Sequence, residues 1–253
     1  MIFYFSATGN SKYVAECIRT EEETLISIAD ATDKKEYSYH ASDERVGVVS
    51  PTYDWTLPSI VSEFLEKLTL NFDEKPYLYY VATYGTTSGA SASMADRILM
   101  EKGLSFDACF DIKMPDTWTP IFDLSDSKLV HKRLEKSDEE IVELQKQIRD
   151  KVRGKHMGLT TPYITGKIGL ALYNGYTRDT ANLSVTSVCI GCGLCAKKCP
   201  AHAIEMKNGR PVWVKKQCIM CLGCLHRCPK FAIQYGSGQT KRHGQYRNPH
   251  TKI

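Results

Sequence analysis

Several things this chain lacks narrow its reading before any motif is considered. No run approaches the ~18 consecutive apolar residues of a membrane-spanning helix, so membrane insertion is not expected. No G-x-G-x-x-G appears, and no lysine stands where a nucleoside triphosphate loop needs one, so dinucleotide and triphosphate readings are weak. No Ser/His/Asp or Cys/His nucleophile set is visible. Acidic residues nearly vanish toward the end: from Cys189 onward twelve Lys or Arg face one acid, Glu205. With the whole chain at +4, the first 188 residues therefore carry −7. The basic Lys241, Arg242 and His243 have no recognition motif beside them, so nucleic acid is not an expected partner. No charged leader, apolar signal core or cleavage site precedes the first apolar run, which points to the cytoplasm.

Cysteine, by contrast, is abundant. Eight of the ten fall in two copies of C-x₂-C-x₂-C-x₃-C-P, 29 residues apart. The first is Cys189, Cys192, Cys195 and Cys199 before Pro200, and the second is Cys218, Cys221, Cys224 and Cys228 before Pro229. The copies also share Cys-Ile at their start (Ile190, Ile219) and Ala-Ile at their close (Ala203 and Ile204, Ala232 and Ile233), the mark of an internal duplication. Structural zinc is normally held by two well-separated ligand pairs. Three thiolates two residues apart, with a fourth before a proline, suit the corners of an iron–sulfur cube; zinc and disulfides are the alternatives. In such runs the fourth cysteine binds the other cluster. Cys189, Cys192, Cys195 and Cys228 are thus expected to hold one [4Fe–4S] cluster, and Cys218, Cys221, Cys224 and Cys199 the second. Gly191, Gly193 and Gly223 let backbone N–H groups approach the sulfurs, one lever on reduction potential. The stretch 185–235 resembles the two-cluster bacterial ferredoxins. Cys17 and Cys109 lie in apolar stretches and read as buried small hydrophobes.

The opposite end carries a second signal. Residues 1–5 are an apolar run, followed at once by Ser6, Ala7, Thr8, Gly9, Asn10 and Ser11, and then by a helical pattern with Val14, Ala15 and Ile18 inward. A strand, a hydroxyl-rich turn and a helix N-terminus make a phosphate cradle, because free N–H groups and the helix dipole both favour an anion. The hexapeptide resembles the flavodoxin phosphate loop, [ST]-x-T-G-x-[ST], which implies FMN. Two later strand ends carry aromatic residues. In doubly wound sheets ligands sit outside such carboxyl ends. The resemblance assigns Pro51, Thr52, Tyr53 and Trp55 to one side of the isoalloxazine, and Tyr84, Gly85 and Thr86 to the other. Trp118 lies in the loop after the last strand and is not assigned.

Between these signals the first 114 residues alternate strand and helix patterns, as a parallel α/β sheet requires. Strands are expected near 2–5, 24–28, 45–50, 77–83 and 106–112, and helices near 11–20, 57–68 and 90–102. A later helix is expected to start at a capping box, Ser137 to Glu140, and to run with Ile141, Leu144, Ile148 and Val152 inward. The fold class is α/β, a flavodoxin-like doubly wound five-stranded sheet plus a small α+β ferredoxin unit. The expected division is 1–153 for the FMN domain, 154–184 for a connector, 185–236 for the ferredoxin domain and 237–253 for a basic tail, polar and mobile. The connector reads as packed chain broken by Pro162, Gly166, Gly169 and Gly175, or as a docking segment between the two units.

Taken whole, the chain is similar to flavodoxin–ferredoxin fusion proteins of anaerobic bacteria and archaea. That resemblance implies an electron carrier, or a component of an oxidoreductase system, that relays electrons between FMN, two [4Fe–4S] clusters and a redox partner. Three other readings stay open: a flavin-free ferredoxin with a flavodoxin-like docking module, a flavin-dependent reductase of a small substrate, and a redox sensor. The basic cluster region suits an acidic redox partner or the acidic first half of the chain, or merely offsets cluster charge. His202 and His226 read as surface or supporting residues, since both thiolate quartets are already complete. Oligomeric state is left open.

Overall fold

A computed structural model describes every residue except Asp43. Strands and helices alternate through the first 156 residues: β1 (Ile2–Tyr4), α1 (Asn10–Ile18), β2 (Leu25–Ser27), α2 (Ile28–Lys34), β3 (Ser38–His40), β4 (Arg45–Pro51), α3 (Ser59–Lys67), β5 (Thr69–Asn71), β6 (Tyr77–Tyr84), α4 (Ser91–Met100), β7 (Ala108–Lys113), α5 (Ser127–Arg149) and β8 (Gly154–His156). The main sheet runs β2-β1-β4-β6-β7-β8, with every pairing parallel. The five expected strands are all present in doubly wound order, and β8 adds a short sixth at the edge. β3 and β5 form a separate parallel pair.

Residue chemistry explains the layering. Strands β4 and β6 are nearly continuous apolar runs because helices cover both faces. Along β6 the period of two sends Leu78, Tyr80 and Ala82 to the face packed by α3 and α4. The alternate Tyr77, Tyr79 and Val81 face α1 and α5 through Val14, Ile18, Leu144 and Ile148. Cys109 is buried in the core as expected, while Cys17 is only partly covered. Among the described residues, no helix is long and apolar enough to cross a membrane.

Helix α5 begins ten residues before the expected start. The Asp126 carboxylate accepts the N–H groups of Lys128 (2.9 Å) and Leu129 (3.2 Å) and so caps the helix. Ser137 is therefore an interior residue, fully buried, and its hydroxyl donates to the Lys113 carbonyl at 2.7 Å. A capping-box pattern inside a helix cannot be told from one at its start when an earlier Asp offers a better cap.

The connector is helical. α6 (Tyr163–Leu172) is continued by a π turn, Tyr173–Thr177. Its glycines work as contact points: a Cβ at Gly169 would stand 2.2 Å from the Asp54 carbonyl oxygen, and one at Gly166 would stand 2.4 Å from Ala90 Cβ. Only glycine permits so close an approach.

The second unit comprises β9 (Leu183–Val185), α7 (Leu194–Lys197), β10 (Ile204–Lys207), β11 (Arg210–Trp213), α8 (Gly223–Arg227), β12 (Ile233–Tyr235) and α9 (Gln239–His243). β9 pairs antiparallel with β12, and β10 with β11. Leu183, Met220, Leu222, Leu225 and Ile233 form its core around Tyr173. Contacts to the first unit are largely apolar or made to backbone. Ile219 packs into the sheet core, Trp118 meets Tyr235 edge-on at 5.2 Å, and His226 bonds the Thr117 carbonyl at 2.9 Å. His202, expected at the surface, is exposed and meets Asp33 at 2.7 Å.

Residues 237–253 do not form the mobile tail expected from their polarity. Tyr246 and Asn248 are buried at 5% and 2% exposure. Their partners lie on α8, 20 positions back, and at the start of α1, more than 200 positions away, contacts that composition does not reveal.

Candidate functional site

The crevice at the carboxyl ends of β1 and β4, where strand order reverses, opens into a cavity of about 310 Å³. This is the switch point at which doubly wound sheets bind ligands. One end is built by the turn after β1. Ser6, Ala7, Thr8, Asn10 and Ser11 line it, while Gly9 lies behind them at φ +102° as the cap of α1. The first N–H groups of α1 have no partner within the helix. The Ser6 hydroxyl accepts the Gly9 N–H at 3.1 Å, and the Ser11 hydroxyl is engaged with Thr83 at 2.7 Å. The phosphate-binding capacity of this turn therefore rests on backbone N–H groups and Thr8 more than on Ser11.

The other end is aromatic. Pro51, Thr52, Tyr53 and Trp55 enter from the β4 loop, and Tyr84, Gly85 and Thr86 from the β6 loop. Asp54 (φ +46°) and Trp55 (φ +62°) are both left-handed, closing a two-residue turn in which Tyr53 and Thr56 exchange backbone hydrogen bonds of 3.0 and 2.8 Å. Neither is glycine, so the turn is strained, as backbone at ligand-binding loops often is. Gly169 of α6 presses on this turn from outside, and Trp55 remains 46% exposed at the cavity rim. One oxygen of Asp54 is buried with no hydrogen-bond partner among the described residues, an acceptor waiting for a donor.

Twelve of the thirteen residues assigned to FMN from the sequence thus meet in one cavity. Sequence reading missed the third wall, from the loop after β7: Met114, Pro115, Asp116 and Trp118. Asp116 ties this loop to the β6 loop by accepting from Thr86 Oγ1 at 3.0 Å and from the Trp118 N–H at 3.0 Å. Burial pushes its carboxyl above the usual range against those two hydrogen bonds. Sequence reading also missed the wall supplied by the rest of the chain: Tyr173 and Thr177 from the connector, and Met220, Cys221 and Leu222 from the cysteine-rich unit. Tyr53 packs on Tyr173 with ring centroids 6.4 Å apart, and burial followed by the neighbouring Cys221 raises its phenol well above the ordinary value. An anion cradle at one end, with aromatic faces and an orphaned acceptor at the other, fits a phosphorylated planar ring such as FMN.

The eight motif cysteines surround two smaller voids. Cys199, Cys218, Cys221 and Cys224 line one, and Cys189, Cys192, Cys195 and Cys228 line the other. These are the crossed quartets expected from the fourth-cysteine rule. The short helices account for the crossing: α7 carries Cys195 into one void and is followed by Cys199 in the other, and α8 does the same with Cys224 and Cys228. Among the described residues no three His, Cys, Asp or Glu side chains converge as for a single metal ion. The thiols instead stand around a space. All ten cysteines are free. Backbone N–H groups of Ala203, Met220 and Ala232 donate to Cys199 (3.4 Å), Cys218 (3.2 Å) and Cys228 (3.3 Å). Burial, then the adjacent Cys221, pushes the Cys218 thiol up to about 12. Thiols so crowded ionise when a metal compensates their charge, and a [4Fe–4S] cube fits this donor set. Arg227, whose Nε is buried without a partner among the described residues, adds positive potential at Cys221.

His226 supports the junction. Nearly fully buried, its Nε2 bonds the Thr117 carbonyl at 2.9 Å while Nδ1 accepts the Tyr246 N–H at 3.1 Å. Burial holds its pKa down at about 4, consistent with a neutral ring in both roles.

Comparison with known proteins agrees with both sites. A flavodoxin domain matches residues 1–140, and a 4Fe-4S dicluster domain matches residues 188–233. No curated protein matches the chain. Two solved structures are similar at low identity. The Trp repressor binding protein from Bacillus subtilis is 12% identical, covering 54% of this chain and 95% of its own, with a TM-score of 0.33. Rubredoxin oxygen:oxidoreductase from the anaerobe Desulfovibrio gigas is 17% identical, covering 60% of this chain and 36% of its own, with a TM-score of 0.34. With a flavodoxin domain over more than half of its length and a dicluster domain after it, the chain belongs to the flavodoxin family as a flavodoxin–ferredoxin fusion, an electron-transfer protein of FMN and two [4Fe–4S] clusters.

Proposed function

We propose that this protein relays electrons between FMN in the switch-point cavity, the two clusters and an external redox partner. One observation carries the reading: Cys221 stands in the wall of the flavin cavity and in the wall of a cluster void at once. When bound, the flavin supplies one- or two-electron chemistry and the clusters single-electron chemistry. The chain's own residues do the rest. The turn after β1 anchors the phosphate, and Tyr53, Trp55 and Tyr84 orient the ring. Met220, Leu222 and Tyr173 close the inner wall against water. Helices α7 and α8 fix the spacing of the two clusters, each carrying a cysteine of one quartet and leading directly into a cysteine of the other. The quartet of Cys189, Cys192, Cys195 and Cys228 lies beside exposed Val188 (55%) and Ile190 (60%), which makes it the port toward the partner. The surplus of Lys and Arg after Cys189 favours an acidic partner. Thiolate-held clusters suit a cytoplasm kept reducing.

Anaerobic purification with flavin, iron and sulfide quantified per chain tests the relay. The expected result is about one FMN and about eight irons. Eight irons with no flavin taken up, even from added FMN, would sink the relay and leave the first domain as a docking module.

A further inference from the structure

Residues 245–253 lie across the back of the phosphate turn. The Asn248 N–H donates to the Thr8 carbonyl at 2.8 Å. The Tyr246 hydroxyl (2.7 Å) and the Asn248 amide (3.2 Å) both donate to Asn10 Oδ1, whose own amide donates to the Pro115 carbonyl at 3.2 Å. Gly9 touches the segment so closely that a Cβ there would stand 2.8 Å from Asn248 Cβ and 3.1 Å from Thr251 Cγ2. Lys12 donates to the Lys252 carbonyl at 2.5 Å, and His250 lies 5.2 Å from the Tyr13 ring. At its other end Gln245 donates to the carbonyls of Leu225 (2.6 Å) and Cys228 (2.9 Å), while Tyr246 donates to His226. None of residues 245–253 themselves lines the flavin cavity.

We propose that this segment is a strap that holds the phosphate turn in its binding shape and so retains FMN, tying flavin binding to the cluster-bearing helix α8. The inference rests on the reading that the cavity takes FMN. Its physics is local. The peptide between Thr8 and Gly9 is planar and trans, so its carbonyl and N–H point opposite ways. With the carbonyl held outward by Asn248, the N–H is turned inward to Ser6. Asn10 is likewise fixed at the mouth of α1, where the N–H groups meant for an anion emerge. Without the strap, Asn10 Oδ1 and the Thr8 carbonyl lose buried partners and the turn gains freedom that binding must then remove. Linkage makes the effect reciprocal: whatever the strap adds to FMN binding, FMN adds to the seating of the strap.

The test compares the full chain with a chain ending at Gly244 and with the double variant Tyr246→Phe, Asn248→Pro, which leaves Gln245 and the clusters' surroundings in place. FMN dissociation constants come from quenching of flavin fluorescence, with cluster content checked by visible absorbance. Weakening by at least about tenfold in both variants, with eight irons retained, is expected from the loss of two to three buried hydrogen bonds. In the unaltered full chain, FMN should slow tryptic cleavage at the exposed Arg242 and Arg247. Equal FMN affinity with and without the strap, or cleavage rates indifferent to FMN, overturns the strap while leaving the flavin site standing. A full chain that takes up no FMN overturns the flavin reading and the strap with it.

Discussion

Cys221 lines both the switch-point cavity and one cysteine-ringed void, whereas Cys17 and Cys109 line neither, and substitution separates the roles of these thiols. Cys221→Ser is expected to lower iron from about eight to about four per chain, since one quartet loses a ligand while the crossed one stays whole. Cys109→Ser, inside the sheet core, should leave iron unchanged and lower the thermal midpoint, because it buries a hydroxyl where a thiol had been. Iron assay and a melt on the same samples distinguish the two outcomes. A different residue-scale feature supports the sheet. Arg45 donates to both oxygens of Glu23 at 2.8 and 2.6 Å and to the Ile18 carbonyl at 3.0 Å, with both side chains mostly buried. Removing one partner strands a buried charge, so Glu23→Ala should destabilise the fold by about 3–5 kcal/mol in urea denaturation. The motif cysteines were legible because their spacing is itself the chemistry. Glu23 was not, because nothing in a run of three glutamates marks which one turns inward.

At the scale of elements, α6 shows how a weak sequence signal hides a strong structural role. Four glycines and prolines read as breaks in an apolar stretch, yet two of the glycines are where the helix rests on α4 and on the strained turn carrying Trp55. Gly169→Ala places a methyl group within the Asp54 carbonyl, so either the helix or the turn must move. The expected outcome is a loss of about 1–3 kcal/mol in stability together with weaker FMN binding and full cluster content. Unchanged flavin affinity would show that the turn does not depend on α6. Helix α5 carries the complementary lesson. Its apolar face at Ile141, Leu144 and Ile148 was readable from period alone, but its start was set by which of two caps has the better acceptor geometry. Asp126, whose carboxylate takes two backbone N–H groups, won over Ser137.

At the scale of the whole molecule the two units are joined by shared walls rather than a free linker. Tyr173 belongs to the ferredoxin-side core and also to the flavin cavity, Ile219 to the sheet core, and the strap to both sides. Stripping the clusters with an oxidant and chelator should therefore do more than unfold residues 185–235. Metal loading and folding of such a small unit are coupled, and its collapse removes one wall of the flavin cavity. The expected result is protease sensitivity confined to the second half, an intact sheet by circular dichroism, and release of FMN. Retention of flavin by cluster-free protein would show that the first unit holds it unaided.

What the sequence by itself determined is whatever is encoded by neighbours in the chain. The two cysteine runs, the phosphate turn after β1, the five parallel strands and the aromatic loops that follow them are all patterns of a few consecutive residues. Each acts through local backbone geometry or strict spacing. Only the tertiary structure decided that Cys221 borders the flavin cavity, that Asp116 and Trp118 close its third side, and that Asn248 holds Thr8 from the far end of the chain. Those contacts depend on how two separately readable units pack, and that packing rests on small areas contributed by residues tens to hundreds of positions apart. Polar residues such as Tyr246 and Asn248 are buried there because each finds a specific partner, and a partner so distant leaves no periodicity in the sequence to announce it.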